Sequence, residues 1–231
     1  YAPVPPAGVT RPGEFEEMDS VVITVMNYGN DFIDMWVDMV DVYQHGGHTY
    51  IIIDDNWTQN SMQSGFNNAG IPSSAYTFVN WETDSIRVRD YGPEFAREAD
   101  GTRHVVDAYY PGRPLDDVIP GQIAGASWIG SPLQVHAHDH MLAGGNIMTD
   151  GNGTCFFSNI LYGYEKPSGW SNQDVDNLMA NHLGCEQVVT LNPICLDGTG
   201  HIDLYAKSMG SNSILLGEFA PDTYFDGTVY V

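Results

Sequence analysis

The N-terminal part of the chain alternates between strand and helix patterns, and this alternation restricts the fold more than any other feature. Residues 20–26 (SVVITVM) form a run of mostly β-branched side chains, which is typical of a buried strand. A helical pattern follows, with Asn30 or Asp31 as a plausible N-cap and Gly46-Gly47 at its end. Residues 48–53 match a second strand. The sequence therefore predicts a βαβ unit.

Short strands recur along the rest of the chain. A helix is predicted at residues 172–182 with Ser171 as its N-cap, whereas residues 117–125 fit neither class clearly. No linker divides the chain, and no repeat is visible in the letters. We therefore predict a mixed α/β domain over residues 15–231, preceded by a proline-rich arm at residues 1–14. The further predicted strands are 77–80, 85–88, 104–108, 134–138, 155–158, 188–191 and 214–217.

The charge of the chain excludes some classes of partner. Acidic residues outnumber basic ones by 30 to 8, which gives a formal charge of -22. Such a surface repels phosphate backbones and anionic lipids, so neither nucleic acid nor a membrane is expected as a partner. It attracts cations instead, either metal ions or basic substrates.

The cysteines and the first residues bear on the compartment. Cys185 and Cys195 could close a short loop in an oxidising compartment, while Cys155 matches a buried strand position. The opening YAPVPP has no initiator methionine, which suggests a processed or trimmed N-terminus. We therefore expect a secreted, extracellular protein.

Three short motifs carry residues suited to chemistry. The first, RDYGP at residues 89–93, follows a predicted strand, so Gly92-Pro93 would turn the chain and leave Asp90 at the strand end. The alternative for Asp90 is a turn aspartate paired with Arg89. The second motif begins with Gly144-Gly145-Asn146, where adjacent glycines permit positive φ and a close approach of the backbone to a ligand.

The second motif continues into DGNG at residues 150–153, a tight turn into the strand of Cys155. This turn is either an ordinary hairpin turn or, through Asp150 and Asn152, part of a calcium loop, although a full set of oxygen ligands is not present.

The third motif is His201-Ile202-Asp203. In an extended segment, His201 and Asp203 would project to the same side, where one can donate a proton and the other supplies a fixed negative charge. The same alternation applies to His136, His138 and His140, which could either bind zinc or form a polar strand face.

Taken in this order, the three motifs resemble those of the guanidino-group-modifying deiminases, in particular the bacterial peptidylarginine deiminases of the Porphyromonas type and the agmatine deiminases. The resemblance runs from about Phe15 to Glu218 and includes GRPLDD at residues 112–117, which is similar to the family's substrate segment. It implies a pentein fold, a propeller of five ββαβ blades.

The resemblance also implies residue roles. Asp90 and Asp203 would grip the planar guanidinium, and His201 would protonate the departing ammonia and then activate water. Arg113 would pair with a substrate carboxylate, and Asn146 would be a further substrate-binding residue. The implied reaction converts peptidyl or free arginine to citrulline and ammonia through a covalent adduct on a cysteine. The resemblance does not imply a required cofactor, and it leaves open whether the protein binds a calcium ion.

Two departures from the family pattern leave three functions open. The family's nucleophilic cysteine follows His-x-Asp, but residues 204–231 contain none, and Arg87 stands where the family has an aromatic residue. We expect an incomplete propeller that lacks its last blade, with the cysteine on a C-terminal segment or on a second polypeptide. The candidates are a peptidylarginine deiminase, an inactive deiminase-like binding or assembly module, and an agmatine-type enzyme for small guanidines.

Overall fold

The computed structural model of the chain describes residues 4–163, 165–194 and 197–217. Within these ranges the elements form four small sheets with helices packed between them. The predicted mixed α/β class is confirmed. None of the helices in the described ranges is long and apolar enough to cross a membrane.

The first sheet is parallel and three-stranded. Strands β1 (Ser20–Thr24), β2 (His48–Ile53) and β3 (Tyr76–Asn80) lie side by side in that order. Helix α1 (Asn30–Tyr43) joins β1 to β2, and helix α2 (Asn56–Ala69) joins β2 to β3. The predicted βαβ unit is confirmed, and α2 adds a second crossover that the sequence pattern did not predict.

The start of α1 differs from the prediction. Its N-cap is Gly29, and no side chain caps the helix, so neither Asn30 nor Asp31 has that role. The glycine pair does close the helix, because the amides of Gly46 and Gly47 both donate to the carbonyl of Tyr43.

The second sheet has three strands, and helices lie between its second and third strands along the chain. Strands β4 (Glu94–Arg97) and β5 (Arg103–Tyr109) are antiparallel, and β6 (Gln134–Met141) pairs with β5 in parallel. Between them lie the one-turn helix α4 (Pro114–Asp117) and helix α5 (Ile119–Gly125), which resolves the stretch of undecided type. This unit is a ββαβ unit.

The third sheet repeats the same order. Strands β7 (Ile147–Thr149) and β8 (Thr154–Ser158) form an antiparallel hairpin, and β9 (Gln187–Leu191) pairs with β8 in parallel after helix α6 (Asn172–Leu183). Ser171 caps α6, as predicted. The repeat is therefore structural, although the letters do not show it.

The fourth sheet is an antiparallel hairpin of β10 (Ala206–Gly210) and β11 (Ser213–Leu216). The predicted strand at residues 85–88 is wrong, because Val88 begins the one-turn helix α3 (Val88–Tyr91). The hydroxyl of Ser85 accepts the amide of Arg87 and donates to Asp116, and these side-chain bonds turn the chain before α3.

The N-terminal residues are tied to both ββαβ units. Thr10 pairs with Arg97 as an isolated antiparallel bridge, and the amide of Arg11 donates to the carbonyl of Leu183. The Arg11 side chain forms a buried ion pair with Glu94, with 2.6 Å between Nη2 and Oε2.

A disulfide joins Cys155 of β8 to Cys185, which follows α6. The predicted Cys185–Cys195 loop is therefore wrong, and Cys195 itself lies outside the described residues. The pairing follows from the sheet, because β8 and β9 lie side by side and Cys185 stands just before β9. Cys155 is buried, as its sequence context predicted.

We predict that peptide mapping of the non-reduced protein finds a Cys155–Cys185 crosslink and one remaining thiol per denatured chain. Replacing both residues by alanine should reduce the free energy of unfolding by about 3 to 4 kcal/mol, because the crosslink closes a loop of 30 residues. Urea unfolding measures this loss. A crosslinked peptide that joins Cys185 to Cys195 would contradict the assignment.

Candidate active site

Asp90 and His201 meet although they are far apart in the sequence. The Oδ1 atom of Asp90 lies 3.7 Å from Nδ1 of His201, and the two side chains are only 13% and 12% exposed. The sequence had suggested that Asp90 stands at a strand end, but it lies in helix α3. The hydroxyl of Tyr110 donates to Oδ2 of Asp90 across 3.4 Å.

Gly145 brings His201 and Asp203 together. A Cβ atom at position 145 would lie 2.4 Å from Nδ1 of His201, closer than real Cβ atoms approach, and 3.0 Å from Oδ2 of Asp203, which is a tight contact. The Gly145 carbonyl accepts the amide of Asp203 at 3.1 Å. Likewise, a Cβ atom at Gly144 would lie 2.0 Å from the carbonyl oxygen of Arg89. The glycine pair therefore permits close approach, although neither glycine has the predicted positive φ.

The His201-Ile202-Asp203 segment is a turn, so the predicted extended conformation is wrong. The amides of Tyr205 and Ala206 both donate to the carbonyl of Ile202, whose side chain is fully buried. His201 and Asp203 nevertheless both lie next to Gly145. Three of the predicted catalytic residues, Asp90, His201 and Asp203, thus converge.

Arg89 pairs with Asp203 and not with the adjacent Asp90. Its Nε atom lies 3.3 Å from Oδ2 of Asp203, and its Nη2 atom contacts Oε1 of Glu14. The structural alternative considered for Asp90, a turn aspartate paired with Arg89, is therefore wrong.

The groups around Asp90 shift its pKa in opposite directions. Burial raises the pKa of Asp90, and the neighbouring Asp203 carboxylate raises it further, whereas His201 and Arg87 act in the opposite direction. The pKa of Asp90 is raised overall, so the site holds its carboxylate less favourably than water does. An added cation between the two carboxylates would relieve this.

Arg113 lies beside the same group of residues. Its Nη1 atom is 3.9 Å from Oδ2 of Asp116 and has no hydrogen-bond partner, and the side chain is 33% exposed. Asp116 already accepts hydrogen bonds from Ser85 and from the amide of Asp84. Burial raises the pKa of Tyr110 and the charge of Arg113 lowers it in part, which places Arg113 near the tyrosine that contacts Asp90.

Asn146 is fully buried. Its Oδ1 atom accepts the amide of Ser158 at 2.9 Å. Next to it lies Glu165, a residue that the motifs did not indicate. Burial raises the pKa of Glu165 to about 7, and a hydrogen bond from Asn146 opposes the increase.

Sequence reasoning also missed Glu14. No motif indicated this residue, since a lone glutamate gives no local signal, and it reaches the site only through tertiary contacts.

The three histidines of β6 share one buried side, as their alternation predicted, but the zinc site is not supported. His138 packs against the ring of His182 at 5.1 Å, and His136 lies 3.1 Å from a ring nitrogen of His104. Burial, together with His182 and His140, lowers the pKa of His138 to about 3. Across the described ranges, no group of three histidine, cysteine or acidic residues is arranged to hold a metal ion.

The DGNG turn has the predicted place between β7 and β8. Oδ1 of Asp150 accepts the amides of Asn152 and Thr154, so this carboxylate organises the hairpin turn.

The sequence was compared with known protein families and relatives. It matches the Porphyromonas-type peptidyl-arginine deiminase family over residues 17–225. The chain therefore belongs to this family, and the resemblance noted in the motifs is confirmed.

Individual relatives are more distant. A Selenomonas ruminantium protein, described as a candidate agmatine deiminase, is 23% identical over 180 residues, which cover 71% of this chain and 46% of the relative. Agmatine deiminase of Enterococcus faecalis has a similar structure, with a TM-score of 0.75 at 19% identity over 90% of this chain and 60% of that one. Substrate-bound agmatine deiminase of C. jejuni gives 0.74 at 18% identity, over 89% and 63%.

These matches establish the fold and also show a difference in length. The chain spans less than half of the curated relative and under two thirds of the two solved structures.

We predict that Asp90→Asn stabilises the fold at pH 7. Because the pKa of Asp90 is raised in the folded state, its ionised form is held less favourably there than in the unfolded chain. The gain should shrink as the pH falls through the raised pKa towards the ordinary value of 3.8. Urea unfolding at pH 7 and at pH 4 measures the difference.

Asp100→Asn is the matched control. Hydrogen bonds from Thr102 lower the pKa of this exposed carboxylate, so its replacement should have the opposite sign and weaken the fold at pH 7. An Asp90→Asn protein that is less stable than the wild type at pH 7 would contradict the electrostatic reading of the site.

Proposed function

We propose that the chain forms the N-terminal and central part of a guanidino-group deiminase that converts peptidyl or free arginine to citrulline and ammonia. The convergence of Asp90, His201 and Asp203 around Gly145 is the observation that carries this proposal. Family membership supports it, because these residues stand in the three motifs on which the resemblance was recognised.

The chemistry of the substrate fits two carboxylates and a histidine. A guanidinium stays protonated at physiological pH, so its site must accept a planar cation with a fork of N–H donors. Asp90 and Asp203 would each accept part of that fork, and the substrate's charge would offset the mutual repulsion of the carboxylates. His201, beside Asp90, would then face one nitrogen of the substrate.

The proposed reaction has two steps. A cysteine thiolate adds to the guanidinium carbon, and the C–N bond breaks as His201 gives its proton to the departing ammonia. His201 then takes a proton from water, whose oxygen adds to the same carbon, and the C–S bond breaks to release the urea product and the thiolate. The sequence consumes one water and needs no cofactor.

We place the nucleophile on a segment that follows the present sequence, either in the same polypeptide or in a second one that stays bound. Cys155 and Cys185 are joined in a disulfide, and residues 204–231 contain no cysteine. The relatives' greater length supports this placement.

The same segment would complete a five-bladed pentein propeller. Two ββαβ units are formed, and the β10–β11 hairpin has the strand order with which a further unit would begin. This hairpin exposes a set of apolar side chains that a further strand or blade would cover. They are Leu204, Met209, Leu215 and Leu216, each about 60% exposed. A cavity of about 340 Å³ between these residues and Asp203 adjoins the site.

The disulfide supports a secreted, extracellular location, because such bonds persist mainly in oxidising compartments. The strongly acidic composition would raise the local concentration of basic peptides.

Two alternatives follow from specific features. An agmatine-type enzyme would leave Arg113 without a substrate carboxylate, and relatives that carry that name favour it. A binding module without catalysis is favoured by Arg87, whose positive charge acts on Asp90.

We predict that the complete protein releases citrulline and ammonia from short arginine peptides, and that Asp90→Asn, His201→Gln and Asp203→Asn each reduce kcat/KM by about 100-fold or more. Asp100→Asn, at an exposed position that contacts none of these three residues, should leave kcat/KM unchanged. A wild-type protein that binds arginine peptides but forms no citrulline would favour the binding module.

We predict that Arg113→Ala separates the substrate classes. Loss of a charge-assisted contact should lower kcat/KM for a peptide ending in free arginine by roughly 10- to 100-fold, with little change for the amidated peptide or for agmatine. Equal losses on all three substrates would contradict a contact between Arg113 and the substrate carboxylate.

A further inference from the structure

A single guanidinium connects the N-terminal arm to the candidate site. Arg89 contacts Glu14 of the arm through Nη2 and Asp203 of the site through Nε. The second oxygen of Glu14 contacts the ammonium group of Lys207. Glu14 therefore lies between two cations, one of which it shares with Asp203.

Glu14 is held firmly in this position. Residues 13–16 form a turn in which the Glu16 amide donates to the Gly13 carbonyl and the Gly13 amide donates to the Glu16 side chain. Glu16 also forms an ion pair with Arg97 at 2.6 Å. The Glu14 side chain is only 15% exposed, and although burial opposes its ionisation, Arg89 and Lys207 hold its pKa below the ordinary value.

The charge of Glu14 matters because Arg89 adjoins a site for a cation. Glu14 and Glu94 are the carboxylates that act most strongly on Arg89, ahead of Asp203. Without Glu14, less negative charge would offset the Arg89 guanidinium, which would then act more strongly on Asp203 and compete with a guanidinium ligand for that carboxylate. With Glu14 in place, Arg89 contacts Asp203 only through its Nε atom, which lies near Oδ2 of Asp203. The other carboxylate oxygen, Oδ1 of Asp203, makes no ion pair within the described residues.

We propose that Glu14 is a positioning residue for the guanidinium site: by holding Arg89, it orients Asp203 and leaves it negative enough to bind a cationic substrate. This inference rests on the proposed function for its ligand, but its geometric part concerns Asp203 alone. The N-terminal arm is then part of the site's electrostatics and not only a packing element.

The test compares Glu14→Gln with Glu16→Gln in the full chain. The control removes the ion pair between Glu16 and Arg97, whose side chain is as exposed as that of Arg89, at 41%. Glutamine at position 16 keeps an oxygen that can accept the Gly13 amide, so the turn that holds Glu14 is retained. Calorimetry compares agmatine with N-carbamoylputrescine, which has the same ammonium end but a neutral urea in place of the guanidinium, so the pair isolates the charge of the guanidinium. We expect Glu14→Gln to weaken agmatine binding by about 5- to 10-fold and to leave binding of the urea compound unchanged, while Glu16→Gln alters neither. Equal weakening of both probes would overturn the inference.

Hydrogen exchange supplies a readout that needs no ligand. The Asp203 amide donates to the Gly145 carbonyl, so a loosened Asp203 should exchange this amide several-fold faster in Glu14→Gln than in Glu16→Gln. Unchanged exchange would overturn the inference even if the wild type binds agmatine. Conversely, a wild type that binds no guanidine, with faster exchange in Glu14→Gln, would refute the proposed function and support the positioning role.

Lys207→Gln provides a second test of the inference in case the Glu14→Gln protein does not fold. Lys207 is half exposed, and its removal leaves Glu14 free to act on Arg89 alone. The result should have the opposite sign, with agmatine bound about 2- to 5-fold more tightly. Unchanged or weaker binding would count against the electrostatic role of Glu14.

Discussion

The close approach of the backbone at Gly144 and Gly145 to two other segments is the constraint on which the candidate site depends. Gly144 lies against the carbonyl of Arg89, and Gly145 lies against the side chains of His201 and Asp203. A side chain at position 144 would push the Arg89 backbone away, and one at position 145 would displace the side chains of His201 and Asp203. The glycines are therefore needed for the space they leave, since neither adopts a positive φ.

Charge complementarity then fixes the groups that surround this contact. A chain of alternating charges runs from Arg11 through Glu94 to Arg89, and from Arg89 to both Glu14 and Asp203. Arg11, Glu94 and Glu14 are largely shielded from water, so the Arg11–Glu94 interaction is stronger than that of an exposed pair, whereas Arg89 and Asp203 are partly exposed. The N-terminal arm contributes two of them, so the arm, the ββαβ units and the site are coupled physically.

The elements with a local signal were predictable. The β-branched runs identified β1 and β2, and Ser171 marked the start of α6, where its capping box with Asp174 forms as such a sequence favours. Helix α2 was missed because its sequence is rich in Asn, Ser and Gln and buries only a narrow apolar face. Gly65 lies in its interior, against the side chain of Val37, and thus serves the packing of α2 on α1.

The sequence by itself determined the α/β class, the membership of the chain in its family and the choice of Asp90, His201 and Asp203 as site residues, because each depends on patterns of neighbouring letters. Only the tertiary structure decided that Cys155 pairs with Cys185, that Arg89 binds Asp203 and not Asp90, and that Glu14 reaches the site. These outcomes depend on which strands lie side by side and on how closely two backbones approach. Such distances arise from packing between remote segments, and no local pattern records them.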